Sequence, residues 1–235
     1  MDAMRETYDD LWTSAWGEMQ AVGPVHRHVQ SDLVRVIDAL DVKTVLDVGC
    51  GSGDNLATLS GSSKGYELTG ADISIEALRL AARRVPTADL KLLDIQNESL
   101  DDRYDLVMSV QVIEHLLDDV AALRNMAAIA RKYVLVSTIG GRMRASERAI
   151  GHFRNYSAVE LRTKLEAVDL EVMWIRGWGW PFYSPMVRTV SEWLPSGPPV
   201  GELSRSERRA ARVLHQLYRL NVAGRGDVIT ALARI

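Results

Sequence analysis

The chain is short of the residues that would open several routes to function. A single cysteine, Cys50, stands among 235 residues, which excludes an internal disulfide and a cysteine-based zinc cluster. No apolar run approaches the ~18 residues of a membrane-spanning helix. Residues 1–20 are polar and acidic, unlike a signal peptide. A cytoplasmic location is the resulting expectation. Neither charge dominates: 28 Lys and Arg against 31 Asp and Glu leave a formal net charge of −3, so no global field favours nucleic acid. Phenylalanine is scarce, with two copies, and internal repeats and low-complexity tracts are absent. What is present is an ordinary globular mixture, 47% hydrophobic and 25% charged. The length suffices for one α/β domain with a full core.

The most informative stretch runs from Val45 to Asn55, VLDVGCGSGDN. A short apolar run carries an acid, Asp47, and meets three glycines at alternate positions, Gly49, Gly51 and Gly53. A strand that turns sharply into a helix exposes backbone N–H groups at the helix N-terminus. Glycines there allow positive φ and a close approach to the backbone. An ordinary structural turn would use the same residues. A dinucleotide fold wants Gly-x-Gly-x-x-Gly, and counting from Gly49 puts Asp54 where the third glycine should be. A carboxylate inside the turn would also repel a pyrophosphate. It suits a ligand with a cationic end.

Apolar runs alternate with helical patterns through residue 176. Strands are expected at Gly65–Asp72, Asp89–Leu93, Tyr104–Val110, Tyr133–Ser137, Leu170–Ile175 and Asp227–Ala233, besides the one ending at Asp47. Helices are expected at His28–Leu40, Ile75–Arg84, Leu116–Ala130, Leu161–Ala167 and Ser204–Leu220. Strands alternating with helices imply parallel βαβ units. One domain is expected over 1–235: an N-terminal helical cap at 1–40, a core at 41–176 and 227–235, and an insertion or lid at 177–226. A connection that long is usually functional or structured in itself.

The Asp-x-Gly-x-Gly-x-Gly turn resembles motif I of the class I S-adenosylmethionine-dependent methyltransferases. The likeness spans roughly residues 40–176 and the final strand. It implies a Rossmann-like, seven-stranded, mostly parallel sheet with helices on both faces and one antiparallel strand, the last, beside the fifth. It implies S-adenosylmethionine as cofactor, lined by Asp47, Gly49, Cys50, Gly51, Gly53 and Asn55. Asp72, in the segment GADIS, ends the second strand 19 residues beyond Gly53; a carboxylate there can accept bonds from both ribose hydroxyls, with Ile73 beside it. An acid near a helix start has the same address for structural reasons. Asp94 resembles the acid that receives the adenine amino group, with Ile95 against the ring. The segment SVQVIEHL at 109–116 puts Val110 and Gln111 beside the methyl group. Related O-methyltransferases that bind a divalent metal carry Glu-x-x-Glu-His. Here Gln111 holds the leading position, so Glu114 and His115 are expected to shape the pocket without a metal.

On the substrate side, the segment GHFRNYS at 151–157 is similar to a His-x-Arg-x-Tyr stretch that opens onto the acceptor in small-molecule members. Methyl transfer to a hydroxyl needs positioning and removal of a proton. A histidine suits that task, which makes His152 the first candidate base and His115 the second. A loop-pinning hydrogen bond is the competing role for His152. Trp174, Trp178, Trp180, Trp193, Phe153 and Phe182 mark an aromatic wall or, alternatively, a packing plug. Arg142, Arg144, Arg148 and Arg154 form one arginine patch and Arg205, Arg208, Arg209 and Arg212 another. Each is either an anion site or a solvated, paired face. Tyr8, Trp12 and Arg27 are placed to cover the cofactor. The expected partner is a small-molecule acceptor methylated at oxygen, from natural-product, sugar or lipid-like chemistry, with no nucleic acid and no membrane span. A non-catalytic binding subunit would call for degraded glycines or a lost Asp72, and neither is seen. A nicotinamide oxidoreductase is disfavoured by the glycine spacing, and amino-methylation of nucleic acid by Ser-Val-Gln-Val after the fourth strand.

Overall fold

The computed structural model describes residues 2–14, 23–188 and 204–235. Seven strands form one sheet: β1 Thr44–Val48, β2 Glu67–Asp72, β3 Asp89–Leu92, β4 Tyr104–Val110, β5 Ala130–Ile139, β6 Glu171–Trp178 and β7 Val228–Arg234. Their order is β3-β2-β1-β4-β5-β7-β6. The first five run parallel, and β7 lies antiparallel to both β5 and β6. This is the Rossmann-like arrangement expected, with its antiparallel strand beside the fifth. The central strands β1 and β4 are buried almost throughout, without alternation, as strands covered on both faces should be. One core layer joins Leu123, Met126, Ile129, Leu161 and Leu165 to the sheet. The other joins Val29, Leu33, Ile37, Leu56 and Leu59.

The described helices are α1 Asp2–Ser14, α2 Pro24–Asp38, α3 Asp54–Ser60, α4 Ile75–Arg84, α5 Asp119–Ile129, α6 Ala145–Ala149, α7 Ala158–Glu166 and α8 Arg205–Tyr218. The starts of α4, α5, α7 and α8 follow from side-chain caps that satisfy otherwise orphaned N–H groups. Ser74 Oγ accepts from Ala77 N at 3.1 Å, and Ser157 Oγ from Glu160 N at 3.0 Å. Ser204 and Glu207 form the reciprocal box anticipated for α8.

Three expectations need correction. The helix placed at Leu116–Ala130 begins only at Asp119, because the Asp118 carboxylate caps Ala121 N at 2.9 Å; Ile113–His115 makes a separate 3-10 turn. Strand β5 is longer at both ends than Tyr133–Ser137. Strand β6 continues through Trp178, so that tryptophan belongs to the sheet rather than to the insertion. Helix α1 lies within residues 1–40, where a helical cap is expected. Trp193 lies outside the described residues.

Asp119 holds the segment after β4 in place. It is 3% exposed. Lys164 Nζ donates to it at 2.5 Å and the Tyr156 hydroxyl at 2.6 Å, while Arg154 pairs with it at 2.8 Å. Arg154 also donates to the Leu117 carbonyl at 2.8 Å. Burial alone would raise the Asp119 pKa, but the bonds from Lys164, Tyr156 and Arg154 outweigh it and hold the carboxyl below its ordinary value of 3.8. The stabilisation is therefore present above that unfolded value and is lost as pH falls through the lower folded one. Asp119→Ala leaves two cations and a phenol without their acceptor. It is expected to cost about 3 kcal/mol, read as a lower denaturant midpoint at neutral pH, with the difference from wild type shrinking in acid.

Candidate functional site

The turn after β1 is lashed to the end of β2. Gly49 N and Cys50 N both donate to the Ala71 carbonyl, at 2.7 and 3.0 Å. Gly51 N donates to Asp72 Oδ2 at 2.9 Å, and Ser74 N to Asp72 Oδ1 at 2.9 Å. Gly49, Gly51 and Gly53 all have positive φ, which a side chain would resist. A Cβ on Gly49 would run into Val112, and one on Gly53 would come within 3.1 Å of the Ala81 backbone. Helix α3 starts directly from Gly53. Its first N–H groups and those of the turn therefore face the carboxyl ends of β1 and β2, the crevice where ligands bind in sheets of this type.

Asp47 lies beneath that turn, fully buried. Asn55 Nδ2 donates to its Oδ2 at 3.3 Å, and its Oδ1 has no hydrogen-bond partner. Burial, reinforced by the nearby Asp72 charge and only partly offset by Asn55, pushes its pKa up to about 8. Burial also lifts Asp72 to about 6, against the opposing bonds from Ser74 and Gly51. Gln111, just beyond β4, adopts φ +57°. That conformation is strained for a residue with a side chain and tends to occur at functional sites. Its N donates to the Ser137 carbonyl at 2.7 Å, and its amide Nε2 is buried without a partner. Ser109 Oγ, on the same strand end, is likewise buried and unpartnered. A glycine cradle, an unsatisfied carboxyl oxygen and an unsatisfied amide fit a ligand with an ammonium or sulfonium and several polar groups.

Other expected cofactor residues are placed differently. Asp94 is 6% exposed and, like Asp72, accepts one local bond on each oxygen, from Gln96 N at 3.2 Å and Asn97 Nδ2 at 2.8 Å. Ile95 is 5% exposed and packed into the core layer. Cys50 is buried, a packing residue inside the turn. Ile73 and Val110 are half-buried at the ends of β2 and β4.

The second half of the site forms where β4 and β5 end side by side. Glu114 is fully buried; Thr138 Oγ1, from β5, donates to its Oε2 at 2.8 Å, and Oε1 has no partner. Burial drives its pKa up to about 7. The His115 and His152 rings meet edge to face at 4.5 Å. Phe153 N donates to the Glu114 carbonyl at 2.9 Å, which staples the 151–157 loop against the Glu114–His115 turn. Burial lowers the His115 pKa to about 3 and also lowers that of His152. Both shifts favour the neutral imidazole at pH 7, and at about 3 His115 is a weak proton acceptor, which leaves His152 as the candidate base. One ligand atom from each of Glu114, His115 and His152 lies within 4.8 Å of the others, so this trio is also able to hold a metal ion.

Beyond the cover expected of Tyr8, two features bring further residues to the site. Helix α1 lies across the strand ends: Asp9 Oδ1 accepts from Ser74 Oγ at 2.5 Å and from Glu76 N at 3.1 Å. The Tyr8 ring stands 6.4 Å from that of His115, and burial together with the charges of Asp72 and Glu114 lifts its hydroxyl pKa to about 12. Glu147 is the other. It takes Arg144 N at 2.9 Å and Asn155 Nδ2 at 2.8 Å, pairs with Arg188, and its carbonyl accepts from His152 N at 3.0 Å. Arg144 and Arg154 are thus committed to internal carboxylates, the paired role weighed for the first arginine patch. Trp178 stacks on His28 at 3.9 Å and packs near Tyr183 and Tyr218, which makes it a plug. Arg27 is exposed.

A model of the methyltransferase domain matches residues 25–175. Ubiquinone biosynthesis O-methyltransferase of Vibrio campbellii is 26% identical over 71% of this chain and 80% of its own length. A protein of Invertebrate iridescent virus 6 is 31% identical over 41% of this chain, a match that takes in 38% of the viral protein. Among solved structures, magnesium protoporphyrin IX methyltransferase from Synechocystis PCC 6803 with S-adenosyl-L-homocysteine superposes at TM-score 0.63, covering 100% of this chain and 97% of its own, at 15% identity. The N-methyltransferase NodS of Bradyrhizobium japonicum WM9 gives 0.58 at 17% identity, over 90% of this chain and 88% of its own. At these identities the superpositions speak for the fold.

Two outcomes follow from the buried acids. A cationic ligand beside Asp47 should favour the carboxylate, so S-adenosylmethionine binding at pH 7 should release protons. Calorimetry in buffers of different ionisation enthalpy reads this directly, and Asp47→Asn should abolish most of the release. Asp72→Ala should weaken binding of S-adenosylhomocysteine by roughly tenfold or more, the loss of a charge-assisted bond; wild-type affinity would remove Asp72 from the ligand.

Proposed function

The chain belongs to the methyltransferase family, as an S-adenosylmethionine-dependent enzyme, and from that premise we propose that it methylates a hydroxyl oxygen of a small-molecule acceptor, with His152 taking the proton. The contact that carries this reading is the edge-to-face approach of two neutral imidazoles at 4.5 Å beside Glu114, where β4 and β5 end. When bound, the cofactor supplies an electrophilic methyl group on a sulfonium sulfur. Asp47 and the Gly49–Gly53 turn hold its amino acid end, and Asp72 holds its ribose. Gln111, fixed by its bond to Ser137, offers its amide toward the same space. His152, pinned by backbone bonds at His152 and Phe153, receives the acceptor's proton as the oxygen attacks. His115 places a second imidazole edge to face against it. The similarity to ubiquinone biosynthesis O-methyltransferases supports the choice of oxygen.

A second reading has its own observation, the 4.8 Å convergence of Glu114, His115 and His152. In it, a divalent cation held by the trio binds the acceptor oxygen and lowers its pKa. The two readings part on chelation. With His152 as base, turnover survives EDTA, and His152→Ala lowers kcat by about 10²–10⁴ while S-adenosylhomocysteine affinity stays at the wild-type value. With a metal, EDTA abolishes turnover and added Mg²⁺ restores it. Unchanged turnover in His152→Ala without chelator would make this histidine a structural pin. Acceptor screening with matched hydroxyl and amine compounds tests the oxygen assignment.

A further inference from the structure

Helix α8 has one face fixed inward and the other unpartnered. Its inner side packs on α2: His215 Nδ1 lies 3.4 Å from the Pro24 carbonyl, and Tyr218, 1% exposed, meets Trp178 and Tyr183 edge to face. That packing sets which residues point out. Arg205, Arg209, Arg212 and Arg219 are all exposed. Among the described residues none of the four makes an ion pair, and neither does Arg225 beyond the helix. Glu207, the acid within the helix, is spent on capping Ser204. Residues 204–227 hold six arginines against two acids, on a chain whose net charge is −3. The charge is therefore local and one-sided.

Apolar side chains stand among these arginines. Val213 is 62% and Leu220 64% exposed, seven residues and two helical turns apart on the same side. Val222, 43% exposed, is tied to Trp180, 40% exposed, by the bond from Val222 N to the Trp180 carbonyl at 2.8 Å. The Arg225 guanidinium covers the Trp180 ring at 4.7 Å. Arginines that reach outward beside exposed Leu, Val and Trp make the surface that settles at a lipid interface, where the apolar groups enter the acyl boundary and the cations meet headgroups. An Arg–Trp pair at its edge matches the amphipathic side chains that concentrate at headgroup depth. A nucleic-acid face would instead present several aromatics for base stacking, and this one has a single tryptophan already covered by Arg225. No helix among the described residues is long and apolar enough to cross a membrane, so the contact would be peripheral.

We propose that the outer face of α8, with the Trp180–Val222 edge, docks the enzyme on an anionic membrane surface. The proposal does not depend on the acceptor or the catalytic residues. The test is co-sedimentation of the full chain with phosphatidylcholine vesicles, with and without phosphatidylglycerol. Binding is expected only to the anionic vesicles and should weaken with salt. Each arginine contributes about 1 kcal/mol, or roughly fivefold, near such a surface, so the pair Arg209→Glu and Arg212→Glu should lower the partition coefficient by more than tenfold. Val213→Ser with Leu220→Ser should also weaken binding and leave a residue that salt removes entirely. Unaltered thermal midpoints show that these surface variants remain folded. No sedimentation with anionic vesicles overturns the proposal, as does charge-reversed protein that partitions like wild type. Tighter binding to a single-stranded oligonucleotide than to vesicles, indifferent to Val213 and Leu220, would assign the arginines to nucleic acid and overturn it too.

Discussion

The site depends on how the first turn is tied to the second strand. The Ala71 carbonyl receives two N–H groups from Gly49 and Cys50, and Asp72 receives a third from Gly51. Without those bonds the turn would have no reason to stay tight over Asp47, and the buried carboxyl would reach water. With them, Asp47 is dry and its pKa lies near 8, so folding alone leaves it short of a partner. A buried, unsatisfied acid costs stability, and a cationic ligand recovers that cost. Asp72 shows the same economy in milder form, since its two backbone donors already offset part of its burial.

The acceptor side is built by a different device. His115 and His152 come from segments that follow neighbouring parallel strands, and neither segment is regular. Two buried carboxylates keep them together. Asp119 grips Arg154, Tyr156 and Lys164 from below the Glu114–His115 turn. Glu147 gathers Arg144, Asn155 and Arg188 on the far side, and Arg188 in turn pairs with Asp227 before β7. Each carboxylate is desolvated and each is multiply bonded, the condition under which buried charge positions its neighbours. The ring-to-ring contact is thus set by four separate pieces of chain.

Much of this could be read in the chain, for reasons that can be named. Helix α4 falls on Ile75–Arg84 as expected, since Ser74 caps it and its apolar spacing has one period. The Ser204–Glu207 box placed the start of α8 correctly. The antiparallel last strand came from resemblance; nothing in VITALA distinguishes a parallel from an antiparallel neighbour. What escaped was tertiary in origin. Asp9 reaches the site, beside the expected Tyr8, only because α1 lies on α4, a contact between residues far apart in sequence. Trp178 reads as part of an aromatic wall more readily than as a plug until His28 is found stacked on it. Asp94 also accepts bonds from its own turn, and Ile95 also packs in the core layer. Residue type alone could not reveal that.

The exchange of Gln for Glu at position 111 can be judged by the charges around it. Asp47, Asp72 and Glu114 are each lifted above their ordinary values, chiefly by burial. A further carboxylate at 111, on the same strand end and with its polar atom equally buried, would add to their mutual repulsion. It would raise the pKa of every member before any ligand arrived. A neutral amide avoids that addition while keeping donors for a ligand's polar groups. The strained φ of +57° is then maintained by the Ser137 bond rather than by a charge. In this chain Asp72 carries negative charge at pH 7, and Asp47, lifted to about 8, would gain its charge as a cationic cofactor binds. Glu114 and the Arg188-paired Glu147 are the acids near the two imidazoles. With Gln at 111, the acceptor half has one anionic ligand fewer to offer a metal, and the balance there tilts toward proton transfer by histidine.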